Sequence, residues 1–367
     1  MARLFLKMGF KKGEATGRVK KMKILLGLSG GFDSTYSAKM LADAGHEVSC
    51  AVLIMHEHTD LAKPRASAEL LGLPLFEIDC RELFDRVVKE SFAREYSLGR
   101  TPNPCVICNP EVKFRVLADF AIENGFDAIA TGHYAEIVDY VDLDGTPRKT
   151  FKIPRDRSKD QTYMLYRLTP DVIGMLYLPL GDSLKADLRQ SVIGTELEPL
   201  DSRDSQEICF LPDGGYPEFV KSRLGTSRKG NFILSDGTII GPHKGITYYT
   251  VGQRKGLGVS LGERAFVTDI NPDTGDITLS TEPKFSSIID LVDVRTPALN
   301  VECEREMRLL AKVRYAAPRV EASVILRPDG TATVILDSPA KSVTKGQSVV
   351  LYDGEIMVGG GIIDENS

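Results

Sequence analysis

The segment "TPNPCVICN", from Thr101 to Asn109, holds two cysteines, Cys105 and Cys108, at a spacing of three in what reads as a proline-stiffened turn. Thiolates spaced in this way can form half of a zinc site, a redox pair, part of the ligand set of an iron–sulfur cluster, or a nucleophile with a neighbouring thiol. Zinc is the least favoured, because no further Cys or His follows at finger-like spacing. The spacing alone does not choose among the others.

A second candidate site is the glycine-rich string "GLSGGFDS", Gly27 to Ser34, between an apolar strand and a helix. Small residues let backbone amides approach an anion, and the following helix N-terminus favours negative charge. The string is neither a Walker A sequence nor G-x-G-x-x-G. Its S-G-G-x-D-S core resembles the PP-loop of N-type ATP pyrophosphatases, which cleave ATP between the α- and β-phosphates and adenylate an oxygen of their substrate.

That resemblance implies a division of roles within the loop. Ser29, Gly30, Gly31 and Ser34 would cradle the phosphates, and Asp33 would help to hold Mg²⁺. The implied ATP-binding residues of the loop are Gly27, Leu28, Ser29, Gly30, Gly31, Phe32, Asp33 and Ser34.

The elements that must position these residues alternate between strand and helix from Met22 onward. Apolar runs such as "KILLGL" and "FDAIATG" predict strands, and helices are predicted over 81–99 and 110–125. This alternation indicates an α/β fold with a parallel sheet. After residue 212 short β runs separated by turn dipeptides predict two small β domains, the last a barrel. We therefore predict a catalytic domain over 22–212, a central β domain over 213–281 and a C-terminal β-barrel over 282–367.

The chain as a whole has the composition of a soluble globular protein, with 42% apolar and 26% charged residues. No apolar run reaches the ~20 residues of a membrane span, so no membrane partner is expected. The basic residues 1–21 lack the features of a secretory signal, and we interpret them as a disordered arm or an upstream-start artefact. A cytoplasmic location with reduced cysteines is therefore expected.

Seven motifs occur in one order along the chain: "GRTPNPCVICNPEVKF", "IATGHY", "SKDQTYMLY", "SQEICF", "YTVGQRKGLG", "KVRY" and "GGGII". Together they resemble the bacterial tRNA-specific 2-thiouridylases, which place sulfur on the wobble uridine of tRNA. The resemblance runs from about Met22 nearly to the C-terminus. It implies that ATP adenylates O2 of uridine 34 and that sulfur from a cysteine persulfide then displaces AMP.

By this resemblance Cys209 carries the persulfide and Cys108 is its partner nucleophile, which requires the fold to bring them together over the ATP site. Cys50, Cys80 and Cys303 are interpreted as structural. The sulfur must come from elsewhere, which implies a cysteine desulfurase or a persulfide relay protein as a partner. The catalytic residues expected are Cys108, Cys209 and Asp33.

Cys105 departs from the family pattern, in which many members have Asp in an N-P-D-x-x-C string. One interpretation is that Cys105 lines the pocket of the target base while water or another group moves protons. The alternative is that Cys105, Cys108 and Cys209 hold a [4Fe–4S] cluster whose open iron carries sulfur.

The family pattern also implies residues outside these loops. Met55 and Gly132 would complete the ATP pocket. The predicted tRNA contacts are Asn103, Pro104, Cys105, Lys159, Asp160, Gln161, Arg314 and Tyr315. Basic runs such as "PRKTFKIPRDRSKDQ" fit a track for tRNA phosphates, although such runs are usually solvated faces.

Two other functions are compatible with part of the sequence. A different PP-loop ligase acting on a small carboxylate or a purine would explain "SGGFDS" but neither the paired cysteines nor the β domains. A non-catalytic tRNA-binding protein with a relic nucleotide site would explain the basic runs. The presence of Asp33, Cys108 and Cys209 argues against the latter.

Overall fold

The fold is taken from a computed structural model, which describes residues 21–198, 208–211, 215–225, 227–259, 262 and 264–366. Residues 1–20 of the predicted arm and the predicted domain boundary at 212–213 lie outside the described residues. The chain divides into two compact units. The first comprises the described residues of 1–82, 109–206 and 355–357, and the second those of 83–108, 207–354 and 358–367.

The elements are numbered in chain order. The helices are α1 (Phe32–Asp43), α2 (Ala62–Leu71), α3 (Arg81–Phe84), α4 (Glu90–Ser97), α5 (Pro104–Cys108), α6 (Phe114–Glu123), α7 (Pro170–Met175), α8 (Lys185–Ser191) and α9 (Tyr216–Leu224). π-Helical turns occupy Asp85–Lys89 and Asn109–Lys113, and 3₁₀ turns occupy Arg157–Lys159, Thr162–Met164 and Ile246–Tyr248.

The strands are β1 (Lys23–Gly27), β2 (Glu47–Ile54), β3 (Leu75–Asp79), β4 (Ala128–Thr131), β5 (Glu136–Val141), β6 (Pro147–Lys152), β7 (Leu176–Tyr177), β8 (Asn231–Leu234), β9 (Ile239–Pro242), β10 (Phe266–Ile270), β11 (Ile277–Ser280), β12 (Phe285–Arg295), β13 (Arg305–Lys312), β14 (Val320–Leu326), β15 (Ala332–Lys341), β16 (Ser348–Asp353) and β17 (Ile356–Asn366).

The first unit is built on a parallel sheet in the order β3-β2-β1-β4-β7. Its central strand β1 is apolar because both faces are covered, and Ile24, Leu25 and Leu26 are fully buried. In such a sheet the carboxyl ends of β1, β2 and β4 meet at one edge, where ligands usually bind. The antiparallel pair β5–β6 adds a hairpin, and Ile356 and Met357 pair with β6.

The second unit contains two β structures and the helical segment 83–108. The central sheet has the order β10-β11-β8-β9 and a core that includes Phe232, Val267 and Ile277. The C-terminal strands follow the order β12-β15-β14-β13-β16-β17, and β12 pairs with β17 to close an antiparallel barrel of six strands. The predicted fold class, a parallel-sheet domain with a central β domain and a C-terminal barrel, is confirmed.

One local prediction is wrong. The helix expected to begin at Pro110 begins six residues earlier, at Pro104, and continues through the π-helical turn into α6. Pro110 lies inside that wider turn, where an irregular hydrogen-bond pattern accommodates its missing N–H. In the part of the chain that the structure describes, no helix combines the length and apolar character needed to cross a membrane.

Candidate functional site

The glycine loop lies where β1 ends in the first unit. Gly30 has a φ of +75°, and a Cβ there would lie 2.5 Å from the backbone of Lys63 and Pro64, so only glycine fits. The hydroxyl oxygens of Ser29 and Ser34 are 3.1 Å apart, and Ser29 Oγ accepts a hydrogen bond from the Gly31 N–H at 3.4 Å. The turn therefore combines close backbone approach with two hydroxyls, as a phosphate-binding loop requires.

The other predicted ATP residues lie at the same edge of the sheet or inside the core. A Cβ on Gly132, just after β4, would lie 2.8 Å from the backbone of Asp33 and Ser34, so this position packs directly on the loop. Met55 follows β2 and is half-buried. The side chains of Leu28 and Phe32 are buried, so these two residues can offer only their backbone to a nucleotide.

Asp33 is held by two side chains that the sequence did not single out. Its Oδ1 accepts a hydrogen bond from the Tyr134 hydroxyl at 2.9 Å, and its Oδ2 pairs with Lys185 Nζ at 2.8 Å. The Lys185 side chain is only 5% exposed. Tyr134 lies in the quoted motif "IATGHY", whereas nothing local marks Lys185. Each carboxylate oxygen has two lone pairs, so Asp33 keeps acceptor capacity for a metal ion beside these two partners.

His133, beside Gly132, is a half-buried neutral side chain. Its Nδ1 lies 2.9 Å from Thr131 Oγ1, and its ring lies 5.3 Å from that of Phe114. Burial lowers the pKa of His133 to about 3, and the charge of Lys113 contributes in the same direction. The imidazole is therefore uncharged near neutral pH.

The two cysteines of "CVIC" lie on the helix α5 of the second unit and not in a turn. The Asn103 Oδ1 accepts the Cys105 N–H at 3.2 Å and caps the helix, while Pro104 occupies a first-turn position where no N–H is needed. A spacing of three on a helix puts Cys105 and Cys108 on neighbouring positions of one side. Cys108 is buried, whereas Cys105 is half-buried.

The backbone just before this helix is held by the barrel. Thr101 donates its N–H to the Lys345 carbonyl at 2.9 Å, and its own carbonyl accepts from Gln347 Nε2 at 2.6 Å. Arg100 adds an ion pair to Asp364 at 2.7 Å. Since the next residues include Asn103 and Cys105, the barrel helps to set the position of the predicted target-base contacts.

Cys209 is exposed, but the residue after it is anchored. The Phe210 ring packs against Phe84, Phe92 and Phe219, with centroids 5.6, 5.3 and 5.1 Å away. The segment Asp85–Lys89 lies between Phe84 and Phe92 in the sequence, and α5 packs against that segment. The structure thus ties the segments that carry Cys108 and Cys209 to the same helical stretch.

The cysteines of the chain differ in burial and in the pKa of their thiols. All six are described and none forms a disulfide. Among the described residues, no group of three His, Cys, Asp or Glu side chains is placed to hold a metal ion. Burial raises the pKa of Cys50 to about 12 and that of Cys80 to about 11, as expected for structural thiols, whereas Cys303 is exposed.

Predicted tRNA contacts occur in both units. In the first, Asp160 Oδ1 accepts the Thr162 N–H at 3.0 Å, and Gln161 Oε1 accepts the Tyr134 N–H at 2.8 Å. A cleft of about 590 Å³ opens beside this segment, lined by Asp156, Ser158, Lys159, Lys185, Ala186, Arg189, Gln190, Val192, Ile193 and Glu198.

In the second unit, the turn between β13 and β14 presents a basic and aromatic surface. Arg314 is exposed, and the Tyr315 side chain is 42% exposed. Lys312 Nζ lies 5.4 Å from the centre of the Tyr315 ring. An exposed aromatic ring among cations suits contact with nucleic acid.

Comparison with known proteins gives three family matches, which together span most of the chain. The family described as tRNA methyl transferase HUP domain matches residues 22–213, the tRNA methyl transferase PRC-barrel domain matches 217–281, and the aminomethyltransferase β-barrel domain matches 292–363.

Three relatives illustrate the similarity over full length. The tRNA-specific 2-thiouridylase MnmA of Acetivibrio thermocellus is 37% identical over 362 residues, which cover 94% of this chain and 100% of the relative. MnmA 2 of Clostridium botulinum strain Loch Maree is 39% identical over 352 residues, covering 93% and 98%. MnmA of Carboxydothermus hydrogenoformans is 37% identical over 366 residues, covering 95% and 99%.

Proposed function

Because this chain belongs to the family of tRNA-specific 2-thiouridylases, we propose that it transfers sulfur to C2 of the wobble uridine, U34, of tRNA through an adenylated intermediate and a cysteine persulfide. It is a PP-loop enzyme of the tRNA uridine 2-sulfurtransferase class, with ATP and tRNA as substrates. The observation that most directly supports the persulfide route is the contrast between an exposed Cys209 and a buried Cys108.

The first proposed step is adenylation. Uridine O2 attacks the α-phosphorus of ATP, the bond to the bridging oxygen of the β-phosphate breaks, and pyrophosphate leaves while the N3 proton passes to solvent. The amides of Gly30 and Gly31 and the hydroxyls of Ser29 and Ser34 bind the phosphates. Asp33 would be the carboxylate of the loop that helps to hold Mg²⁺, whose charge would offset that of the departing pyrophosphate.

The second proposed step is sulfur transfer. The terminal sulfur of the Cys209 persulfide attacks C2, and the C2–O2 bond breaks to release AMP. The Cys108 thiolate then attacks the Sγ of Cys209, which forms a Cys108–Cys209 disulfide and frees 2-thiouridine as N3 regains its proton. An external dithiol must reduce that disulfide before the next turnover.

This route assigns different surroundings to the two thiols. A persulfide donor is a separate protein, such as a cysteine desulfurase or a sulfur-relay protein, so the acceptor cysteine must be reachable, as Cys209 is. Cys108 needs no external partner and is buried. Cys105, half-buried one helical turn before Cys108, is proposed to line the pocket of the target base, with proton transfer to water.

The test is a thiolation assay on protein purified without oxygen, with iron and acid-labile sulfide measured first. Uridine thiolation by ATP and a persulfide donor is then followed before and after chelation, in the wild type and in Cys105→Asp, Cys108→Ala and Cys209→Ala. We expect activity in metal-free protein, loss in Cys108→Ala and Cys209→Ala, and retention in Cys105→Asp. Cys303→Ala, an exposed cysteine outside the proposed route, is the matched control and should stay active.

Bound iron and sulfide, with activity lost on chelation and in all three variants, would disprove the persulfide route. AMP formation that needs no tRNA would instead point to a PP-loop ligase with another substrate. Binding of tRNA with no thiolation under any condition would leave only a tRNA-binding protein.

A further inference from the structure

A chain of hydrogen bonds joins Asp33 of the PP-loop to Gln161 of the predicted tRNA-contact segment. The Tyr134 hydroxyl donates to Asp33 Oδ1 at 2.9 Å, and the Tyr134 N–H donates to Gln161 Oε1 at 2.8 Å. The Gln161 N–H in turn donates to the Tyr134 carbonyl at 3.1 Å. Tyr134 is therefore fixed to Gln161 at both of its backbone groups and to Asp33 through its side chain.

A second chain of hydrogen bonds joins the same carboxylate to Asp156, at the start of the segment 156–161. Lys185 Nζ pairs with Asp33 Oδ2 at 2.8 Å, and the Lys185 N–H donates to Asp156 Oδ2 at 3.0 Å. The other oxygen of Asp156 accepts from the N–H and the hydroxyl of Ser158, at 3.2 and 2.6 Å, and so caps the 3₁₀ turn that contains Lys159. Both oxygens of Asp33 are thus linked by hydrogen bonds, through Tyr134 and Lys185, to the segment 156–161.

These links are stiff because their central members are buried. Tyr134 is 2% exposed, and the Lys185 side chain is 5% exposed. A buried donor that loses its acceptor carries the full cost of desolvation. When one residue of such a hydrogen-bonded chain moves, its partners therefore move with it, because breaking the hydrogen bond costs more. The cleft lined by Lys159 and Lys185 lets solvent and ligands reach the far end of the second chain.

We propose that Tyr134 and Lys185 are positioning residues that couple tRNA contact at Lys159, Asp160 and Gln161 to ATP binding at the PP-loop. The inference rests on the proposed function, because it needs ATP and tRNA as the two ligands. Contact with tRNA holds residues 156–161 in place, which keeps Asp33 and the charge of Lys185 aligned at the phosphate loop. The sign is therefore positive: each ligand tightens the binding of the other by the same factor.

Binding, and not turnover, is the measurement, because tRNA is itself a substrate of the adenylation. The affinity for α,β-methylene-ATP is measured with and without a saturating unmodified tRNA transcript that contains U34. In the wild type we expect about fivefold tighter binding or more with tRNA, the lower range of typical couplings. Tyr134→Phe removes the link to Asp33 Oδ1 and Asp156→Ala removes the link through Lys185, and each should bring this ratio toward one. Tyr134→Phe should leave the tRNA affinity without nucleotide unchanged, whereas Asp156→Ala also removes the cap of the turn that contains Lys159 and should lower that affinity.

Tyr36→Phe is the matched control. Tyr36 is a buried tyrosine on α1, and its hydroxyl bonds Ser191 Oγ at 3.1 Å and not Asp33. Removing this hydroxyl should therefore leave the ratio of the two ATP-analogue affinities at the wild-type value. Thermal unfolding of all variants checks that they remain folded. The reciprocal measurement, tRNA affinity with and without the analogue, must give the same factor in each protein.

Several results would overturn the coupling. A ratio of one in a wild type that thiolates tRNA would do so, as would a wild-type ratio in both Tyr134→Phe and Asp156→Ala. A loss of tRNA binding in Tyr134→Phe without nucleotide would show a local structural role instead. Absence of thiolation by the wild type is a different outcome, because it contradicts the proposed function itself.

Discussion

The ring of Phe210 stands edge-on to the ring of Phe92, at an interplanar angle of 89° and a centroid distance of 5.3 Å. Phe92 lies on α4, directly after the turn Asp85–Lys89 on which α5 packs. Phe210 follows Cys209 in the chain, so this contact ties an exposed cysteine to a well-packed helical stretch. The proposed sulfur carrier is therefore accessible and at the same time restricted in its reach.

Replacing Phe210 should impair sulfur transfer more than nucleotide binding. Phe210→Ala removes the anchor beside Cys209, and we expect thiolation to fall about tenfold or more, since small misplacements of a reacting group are costly. Affinity for an ATP analogue should change less than twofold. Single-turnover thiolation and the rate of Cys108–Cys209 disulfide formation are the measurements.

Phe232→Ala controls for lost stability. Phe232 is also buried, in the core of the central β domain, with 1% of its surface exposed against 8% for Phe210, and either truncation should cost about 3–5 kcal/mol of unfolding free energy. An equal loss of thiolation in both variants, at a temperature where both are folded, would refute a specific role for Phe210.

Gly132→Ala should abolish ATP binding. The added methyl group would lie 2.8 Å from the backbone of Asp33 and Ser34, so the loop must move. Gly174→Ala is the matched control, because a Cβ at that exposed helical position meets nothing within 4 Å and should stabilise α7 by about 0.5–1 kcal/mol. Calorimetric titration with an ATP analogue measures the first effect and urea unfolding the second; normal affinity in Gly132→Ala would contradict the assignment.

Loosening the contact between the barrel and the Thr101 segment should slow thiolation. Asp364→Asn weakens the ion pair between Asp364 and Arg100. Both side chains are about one-third exposed, so the free energy of unfolding should fall by no more than about 1 kcal/mol. We expect a several-fold lower single-turnover rate, and a further drop when Gln347→Ala is added, because Gln347 holds the Thr101 carbonyl. Glu304→Gln, which weakens the Arg327 pair elsewhere in the barrel, should leave the rate unchanged.

Acid should destabilise the protein partly through His133. The pKa of His133 is about 3 in the folded protein, mainly through burial, and about 6.5 in the unfolded chain. Between these values the unfolded chain binds a proton that the folded protein does not, so stability is complete above about pH 6.5 and falls as the pH drops toward 3. His133→Gln should make this decline shallower.

Urea unfolding at a series of pH values from 7 to 4 measures that slope. His58→Gln is the control, because the His58 side chain is 82% exposed and its replacement should leave the slope as it is in the wild type. An unchanged slope in His133→Gln would mean that the pKa of this imidazole is the same in the folded protein as in the unfolded chain.

Local pattern and motif were enough to indicate part of the fold and of the site. Alternating apolar runs and helical segments indicated the parallel sheet, and the place of "SGGFDS" after the first strand put the loop at the ligand edge of that sheet. Turn dipeptides after residue 212 indicated the β domains. These features depend on residues that are close together in the sequence, so the sequence alone predicts them.

The partners of the reactive groups follow from contacts between residues that are distant in the chain. Asp33 meets Tyr134 and Lys185, which lie 101 and 152 residues away, and no periodicity records such a pairing. The helix of Cys105 and Cys108 likewise depends on Asn103 acting as a cap, whereas the two prolines of this segment by themselves favour a turn. Burial and hydrogen bonding select among the conformations that a short segment allows, and both are set by distant residues.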